Sequence, residues 1–403
     1  MDRLCEGPVF LYAYTLNRQN ASFAPQFSSN IWTFPCIRIR CSKIDCLLIN
    51  YYIVYIGELA GRVFLFFAEN ILQLHLYKIK IEINNVNKNI AGRLLQMMEE
   101  RILTVADNTE LYVHIWRAAE PKAAILLAHG MTEHSARYDL FGRYLQEQGI
   151  SLYCHDQRGH GKTAEHGGQT GHLRKDVDWN LMANDLFAVK TKLIDEDVTC
   201  PVYLMGHSMG SFLVRRAVQL RPNMFDGLIL SGTGDGQGVI GKLAVKIADL
   251  ACVVSGQETY SPKIQSLMFG NYNKQIPDAR TEYDWLTRDD SEVQRYMDDP
   301  YCGYVCTNGF YHELLMGIQL ANNPEYVARM NKYMPVYVFS GDKDPVGIYG
   351  KGIQNVQKLL AGADMQDVTV KLYPEGRHEM LNEINRDEVM ADLAEWVNRH
   401  AAM

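Results

Sequence analysis

Val202-Tyr203-Leu204-Met205-Gly206-His207-Ser208-Met209-Gly210-Ser211-Phe212-Leu213-Val214 is the stretch that decides the fold. A short apolar run leads into Gly206-His207-Ser208-Met209-Gly210, a G-x-S-x-G pentapeptide, and a helix-like run leads out of it. Strand, sharp turn carrying a serine, then helix is the context of a nucleophile elbow. A strained turn pressed against its neighbours leaves no room for side chains at the two glycines. A turn with an idle serine can be spelled with the same five letters, so the reading rests on what surrounds them.

Upstream, Arg101–Ala106 and Glu110–Trp116 flank Asp107-Asn108-Thr109, which predicts a hairpin. Ala123–Ala128 is a continuous apolar run, as expected of a strand buried on both faces of a parallel sheet. Ser151–His155, Pro201–Met205, Gly227–Leu230, Pro335–Phe339 and Thr369–Tyr373 read as further strands. Helical spacing separates them. Tyr138–Gln148 places Leu140, Phe141, Tyr144 and Leu145 on one face, and Trp179, Met182, Leu186, Val189 and Leu193 recur every three or four residues. Ser211–Leu220, a segment near Gly350–Leu360, and a last helix turning Val389, Leu393, Trp396 and Val397 inward complete the pattern. The alternation predicts an α/β domain over 98–403, with a mostly parallel central sheet flanked by helices.

The alternation stops between about Thr233 and Tyr333. Val239, Leu243, Ile247, Leu250 and Val254 form one helical face there, and Phe310–Leu320 forms another. This predicts a mainly helical cap inserted between two sheet strands.

Residues 1–97 are atypical: ten Lys/Arg against six Asp/Glu, whereas 98–403 carries 30 against 41. Cys46–Phe67 is their most apolar run, but Asn50, Glu58 and Arg62 interrupt it. Each charge at mid-bilayer costs about 2.5–3.5 kcal/mol on insertion scales, which disfavours a membrane span. The region is expected to be an ill-structured extension, or not part of the native protein. In the latter case Met97-Met98-Glu99-Glu100 is a sensible start. A tether to the membrane through this extension is the alternative. Nine cysteines without regular spacing and without a C-x-x-C pair indicate a reducing, cytoplasmic location. The net charge of −7 argues against a nucleic-acid partner.

A serine hydroxyl becomes a good nucleophile when a base takes its proton and a third group orients that base. In the corresponding sheet folds the acid and the histidine follow the serine, on loops after later strands. Ser340-Gly341-Asp342-Lys343-Asp344-Pro345-Val346 and Tyr373-Pro374-Glu375-Gly376-Arg377-His378-Glu379 occupy those places. Asp344 is assigned as the orienting acid, with Asp342 as its competitor, and His378 as the base. The oxyanion donors expected are the backbone N–H of Met209, after the nucleophile, and that of Met131, in the loop after Ala123–Ala128.

Ala128-His129-Gly130 with Glu133-His134 and Arg137-Tyr138, then Asp156-Gln157-Arg158-Gly159-His160-Gly161, then the elbow, resemble one group of α/β hydrolases. It is the monoacylglycerol lipase and lysophospholipase group, often labelled serine aminopeptidase-like. The resemblance covers about 99–398. It implies the α/β-hydrolase fold, a Ser208–Asp344–His378 triad, and a cap that shapes an acyl-chain pocket. The expected reaction is hydrolysis of carboxylic esters of acyl lipids, with a small-molecule acyl ester as partner. Peripheral membrane contact is left open. A small-ester esterase or amidase, and a non-catalytic ligand-binding scaffold, are the alternatives.

No cofactor or metal is expected. His129-x-x-x-Glu133-His134 matches neither H-E-x-x-H nor H-x-x-E-H. Gly232–Gly238 resembles a phosphate loop in composition only, lacks the G-K-[ST] ending, and reads as a hinge into the cap. Asp156–Gly161 is expected to brace the active-site face.

Overall fold

The computed structural model describes residues 98–402; the readings of residues 1–97 as an atypical extension and of Cys46–Phe67 fall outside them. Eight strands form one sheet in the order β1-β2-β4-β3-β5-β6-β7-β8. They are β1 (Glu99–Thr104), β2 (Glu110–Trp116), β3 (Ala123–Ala128), β4 (Ile150–His155), β5 (Val202–His207), β6 (Gly227–Ser231), β7 (Val336–Gly341) and β8 (Val368–Tyr373). β2 runs antiparallel to both β1 and β4, and every other pairing is parallel. The sequence placed all eight, with ends shifted by at most two residues. Their legibility has a cause: β3, β4, β5, β6 and β7 are buried at every position, so their sequences are mostly apolar.

Alternate side chains of these strands feed two cores, as the pleat requires. Leu126, Leu204, Leu228 and Val338 join the helices Trp179–Val189, Met209–Leu220 and Lys351–Gly362 on one face. Ile125, Leu127, Met205, Ile229 and Tyr337 join Asp139–Glu147 and Arg386–Ala401 on the other. Val389, Leu393, Trp396 and Val397 all point inward, as their spacing predicts. The periodicity around Leu193 continues through a π turn, Lys190–Ile194.

Register brings the functional loops together. Ala128 pairs with Gly206, His207 with Ser231, and Gly341 with Tyr373. The loops leaving β3, β5, β6, β7 and β8 therefore emerge side by side at the carboxyl edge, where open α/β sheets place their ligands.

The insertion between β6 and β7 carries helices Gly238–Ser255, Pro262–Phe269, Asp290–Asp298 and Asn308–Ala321. Asn308–Ala321 packs on the elbow helix and also against Trp179–Val189, where Gly317 permits the approach: a Cβ there would lie 2.2 Å from the Trp179 ring. The apolar face of Gly238–Ser255 exists as the sequence indicates, but it points outward. Val239 is 83% exposed and Val254 74%, while only Gly241 and Ala248 of this helix are buried. The small residues face the neighbouring helix, which allows close approach and turns the large ones outward. No helix among the described residues is long and apolar enough to cross a membrane.

Candidate active site

Ser208 sits between β5 and the helix Met209–Leu220 with φ 50° and ψ −119°, a conformation that costs a non-glycine residue about 1–3 kcal/mol. The flanking glycines hold it there. A Cβ on Gly206 would lie 2.3 Å from Gly210 O, and one on Gly210 would lie 2.0 Å from Ala128 O. The tight turn of the helix back onto β5 therefore demands Gly206, and its close packing against β3 demands Gly210.

His378 and Asp344 are both buried and paired, with Nδ1 at 3.0 Å from each carboxylate oxygen. Asp344 also accepts from Ser340 Oγ and from Val346 N–H, each at 2.8 Å. Burial alone would raise the Asp344 carboxyl; the facing His378 charge and these donors outweigh it and hold the group below its ordinary range. Burial likewise opposes protonation of His378, and the Asp344 charge overcomes it, so the imidazole is shifted above its ordinary value. Asp342 is elsewhere: it accepts from Glu375 N–H at 2.8 Å and braces a turn. The geometry thus separates the two aspartates.

Ser208 and His378 line the same cavity, about 920 Å³, together with Gly130 and Met131. Among the described residues no hydrogen bond joins Ser208 Oγ to His378; such bonds are often long in ligand-free sites and tighten with substrate. Met209 is the first residue of its helix, so its N–H has no intrahelical acceptor. Met131 N–H likewise has no partner among the described residues. Of the two expected donors, that of Met131 belongs to a residue that lines the cavity, and Met209 directly follows Ser208, which also lines it.

The sequence did not reveal what holds these loops in place. Arg137 donates to both oxygens of Glu379 at 2.8 and 2.7 Å and to Glu133 at 2.7 Å. Glu133 in turn accepts from Gly130 N–H and Tyr138 Oη. A buried guanidinium thus ties the Met131 loop to the residue after His378. The Trp285 ring lies tilted at 5.1 Å from the His378 ring, and the His207 ring lies tilted at 4.8 Å from it. Burial, with the nearby His378 charge, pushes His207 down to about 4, so it stays neutral beside the base. Gly232, expected only as a hinge, has φ 57°, and a Cβ there would lie 2.9 Å from His378 Cε1. It makes room for the imidazole.

The cap is fastened to this face. Glu379 N–H donates to Leu286 O at 2.7 Å, Gly303 N–H to Thr132 O at 3.1 Å, and Tyr296 Oη to Thr132 O at 2.9 Å. The Asp156–Gly161 loop braces as expected. Asp156 accepts from Ser135 and Lys162 N–H, while Arg158 bridges Asp185 and Asp107.

Two histidines near this face make backbone contacts: His129 meets Gly130 O and Gln157 N–H, and His160 Nδ1 meets Arg158 O. His134, Asp299 and Cys302 bring ligand atoms within 4.8 Å of one another. His134 is already bonded to Asp299 at 2.9 Å, and burial raises the Cys302 thiol, which keeps it protonated and a poor ligand.

A sheet of this topology, with its elbow serine and its buried acid–histidine pair on successive later loops, defines the α/β-hydrolase class. The family model described as serine aminopeptidase, S33 matches residues 119–385. The chain belongs to that family of hydrolases. It is 27% identical over 306 residues to a monoglyceride lipase of Rattus norvegicus, covering 75% of this chain and 91% of that one. A monoacylglycerol lipase of Mycolicibacterium smegmatis is 26% identical over 284 residues, 70% of this chain and 90% of the relative. Among solved structures, a carboxyl esterase of Bacillus coagulans superposes with TM-score 0.70 at 24% identity, covering 75% and 99% of the two chains.

Proposed function

We propose that this hydrolase cleaves carboxylic esters of acyl lipids, of the monoacylglycerol or lysophospholipid type, through an acyl-enzyme on Ser208. The observation that carries the reading is the buried His378–Asp344 pair, with His378 on the same cavity as the strained elbow serine. The monoglyceride lipase relatives support the substrate class.

In the mechanism, His378 Nε2 takes the Ser208 proton as Oγ attacks the ester carbonyl. Asp344 holds Nδ1–H, fixing the tautomer and stabilising the imidazolium. Met131 and Met209 N–H groups receive the oxyanion, each such donor contributing about 2.7–4 kcal/mol in serine hydrolases. His378 then protonates the leaving alcohol. A water, deprotonated by the same ring, attacks the acyl-enzyme, and Ser208 departs with its proton restored.

The outward stripe of Val239, Ile240, Leu243, Ile247, Leu250 and Val254, with Lys242 and Lys246 also exposed, suits contact with the lipid surface where such substrates gather. Turnover of an acyl-ester series on wild type and Ser208→Ala tests the proposal. Chain-length-dependent hydrolysis lost in the variant supports it, and activity confined to peptide amides contradicts it.

A further inference from the structure

Thr132 follows the proposed oxyanion donor Met131, and its backbone has φ 54°. A β-branched residue in the left-handed region is a genuine outlier, and it persists only where its surroundings hold it there. Here the hold comes from the cap. Tyr296 Oη, on the cap helix Asp290–Asp298, donates to Thr132 O at 2.9 Å. A phenol has one proton, so the 2.9 Å bond between the two hydroxyls is donated by Thr132 Oγ1. Gly303 N–H, also of the cap, is a second donor to Thr132 O, at 3.1 Å. Among the described residues, every hydrogen bond of Thr132 reaches the cap.

Tyr296 is itself fixed. It is buried, and its ring centre lies 4.9 Å from the Arg137 guanidinium carbon and 5.0 Å from the Tyr283 ring. Burial pushes the phenol well above its ordinary pKa, so the hydroxyl keeps its proton. The other side of the loop is closed from within, where Glu133 accepts from Gly130 N–H. Met131 therefore lies between a residue held by its own loop and one held by the cap. Its N–H has no partner of its own to fix it. A main-chain oxyanion donor is effective only when it already points to where the charge develops.

We propose that Tyr296 is a positioning residue for the oxyanion hole: its hydroxyl holds Thr132 in the left-handed conformation and so aims Met131 N–H. This rests on the acyl-ester reading above and gives the cap a part in the chemical step besides lining the cavity. Without the hydroxyl, Thr132 relaxes toward an ordinary conformation, and the Met131 peptide turns with it. Glycine at 132 has no such drive, because it occupies positive φ about as readily as negative.

The test measures hydrolysis of p-nitrophenyl butyrate, and inhibition by a hexyl trifluoromethyl ketone, whose adduct with a serine hydroxyl carries the oxyanion. Tyr296→Phe is expected to lower kcat and raise the ketone's Ki, each by about ten- to a hundredfold, with KM little changed. Loss of folded molecules lowers kcat but does not move Ki, so the two readouts separate positioning from folding. In a Thr132→Gly background, adding Tyr296→Phe is expected to change Ki by about twofold or less, the non-additivity of two residues acting through one bond. An unchanged Ki in Tyr296→Phe, an equal loss in both backgrounds, or a rise in KM alone overturns the proposal. A wild type that neither hydrolyses the ester nor binds the ketone instead overturns the acyl-ester reading.

Discussion

Arg137 grips both oxygens of Glu379, 242 residues away in sequence and one residue beyond His378. Its third bond, to Glu133, reaches back to the loop that carries Met131. The clamp therefore ties the segment after His378 to the loop that carries Met131, the two segments that hold the proposed base and one proposed oxyanion donor.

Arg137→Met removes the only cation shared by two buried carboxylates. Breaking a buried ion pair costs about 3–5 kcal/mol, so chemical denaturation is expected to show a loss of that order. Burial raises Glu379, but the Arg137 charge overrides it and holds the carboxyl down to about 2. Because its folded pKa is depressed, this stabilisation is full above the ordinary carboxylate value and is lost as pH falls toward about 2. Denaturation midpoints measured from pH 6 downward are expected to converge for wild type and Arg137→Met at the acid end.

The pH dependence of kcat/KM reports the base in the free enzyme. His378 is shifted above 6.5 by Asp344, and only its neutral form accepts the Ser208 proton. Activity is expected to rise with pH through an inflection above that value. Asp344→Asn leaves the ring without its orienting carboxylate, and a fall of about 10⁴-fold in kcat is expected by analogy with other serine triads. A wild-type inflection clearly below 6.5 contradicts the pairing.

Gly232→Ala places a methyl group 2.9 Å from His378 Cε1 at a residue with φ 57°. The imidazole must move. Displacements of about 1 Å in catalytic groups cost about 10²-fold, so kcat is expected to fall by that order. Circular dichroism is expected to remain that of the wild type. Unchanged turnover shows that the ring has room the structure denies it.

Leu243→Asp with Leu250→Asp puts two charges into the outward apolar stripe of the cap. Co-sedimentation with anionic phospholipid vesicles is expected to drop by about tenfold or more, since each fully buried leucine contributes about 1.5–3 kcal/mol. Hydrolysis of a soluble short-chain ester serves as the control for folding. Vesicle binding equal to wild type excludes this face as the contact.

The strands and the elbow were legible because both are local patterns. A strand buried on two faces must be mostly apolar, and the elbow needs Gly206 for its turn back onto β5 and Gly210 for its contact with β3. His378 and Asp344 were assigned from their order after later strands and from the family resemblance. That His378 bonds Asp344 while Asp342 accepts from Glu375 N–H was not legible, because it depends on how two distant loops meet. Arg137 and Glu379 each stood beside a motif residue, yet nothing local pairs them across 242 positions. Gly232 looked like a hinge because its neighbour, His378, arrives from a distant loop. The helix Gly238–Ser255 showed its apolar face in the sequence, but periodicity gives no direction, and two small residues turned that face outward.

Labelling with an alkyl fluorophosphonate, followed by mass spectrometry of the modified peptide, tests the central claim most directly. The account predicts one adduct, on Ser208, abolished in Ser208→Ala and strongly slowed in His378→Ala. Label that persists in Ser208→Ala, or that maps to another residue, contradicts it.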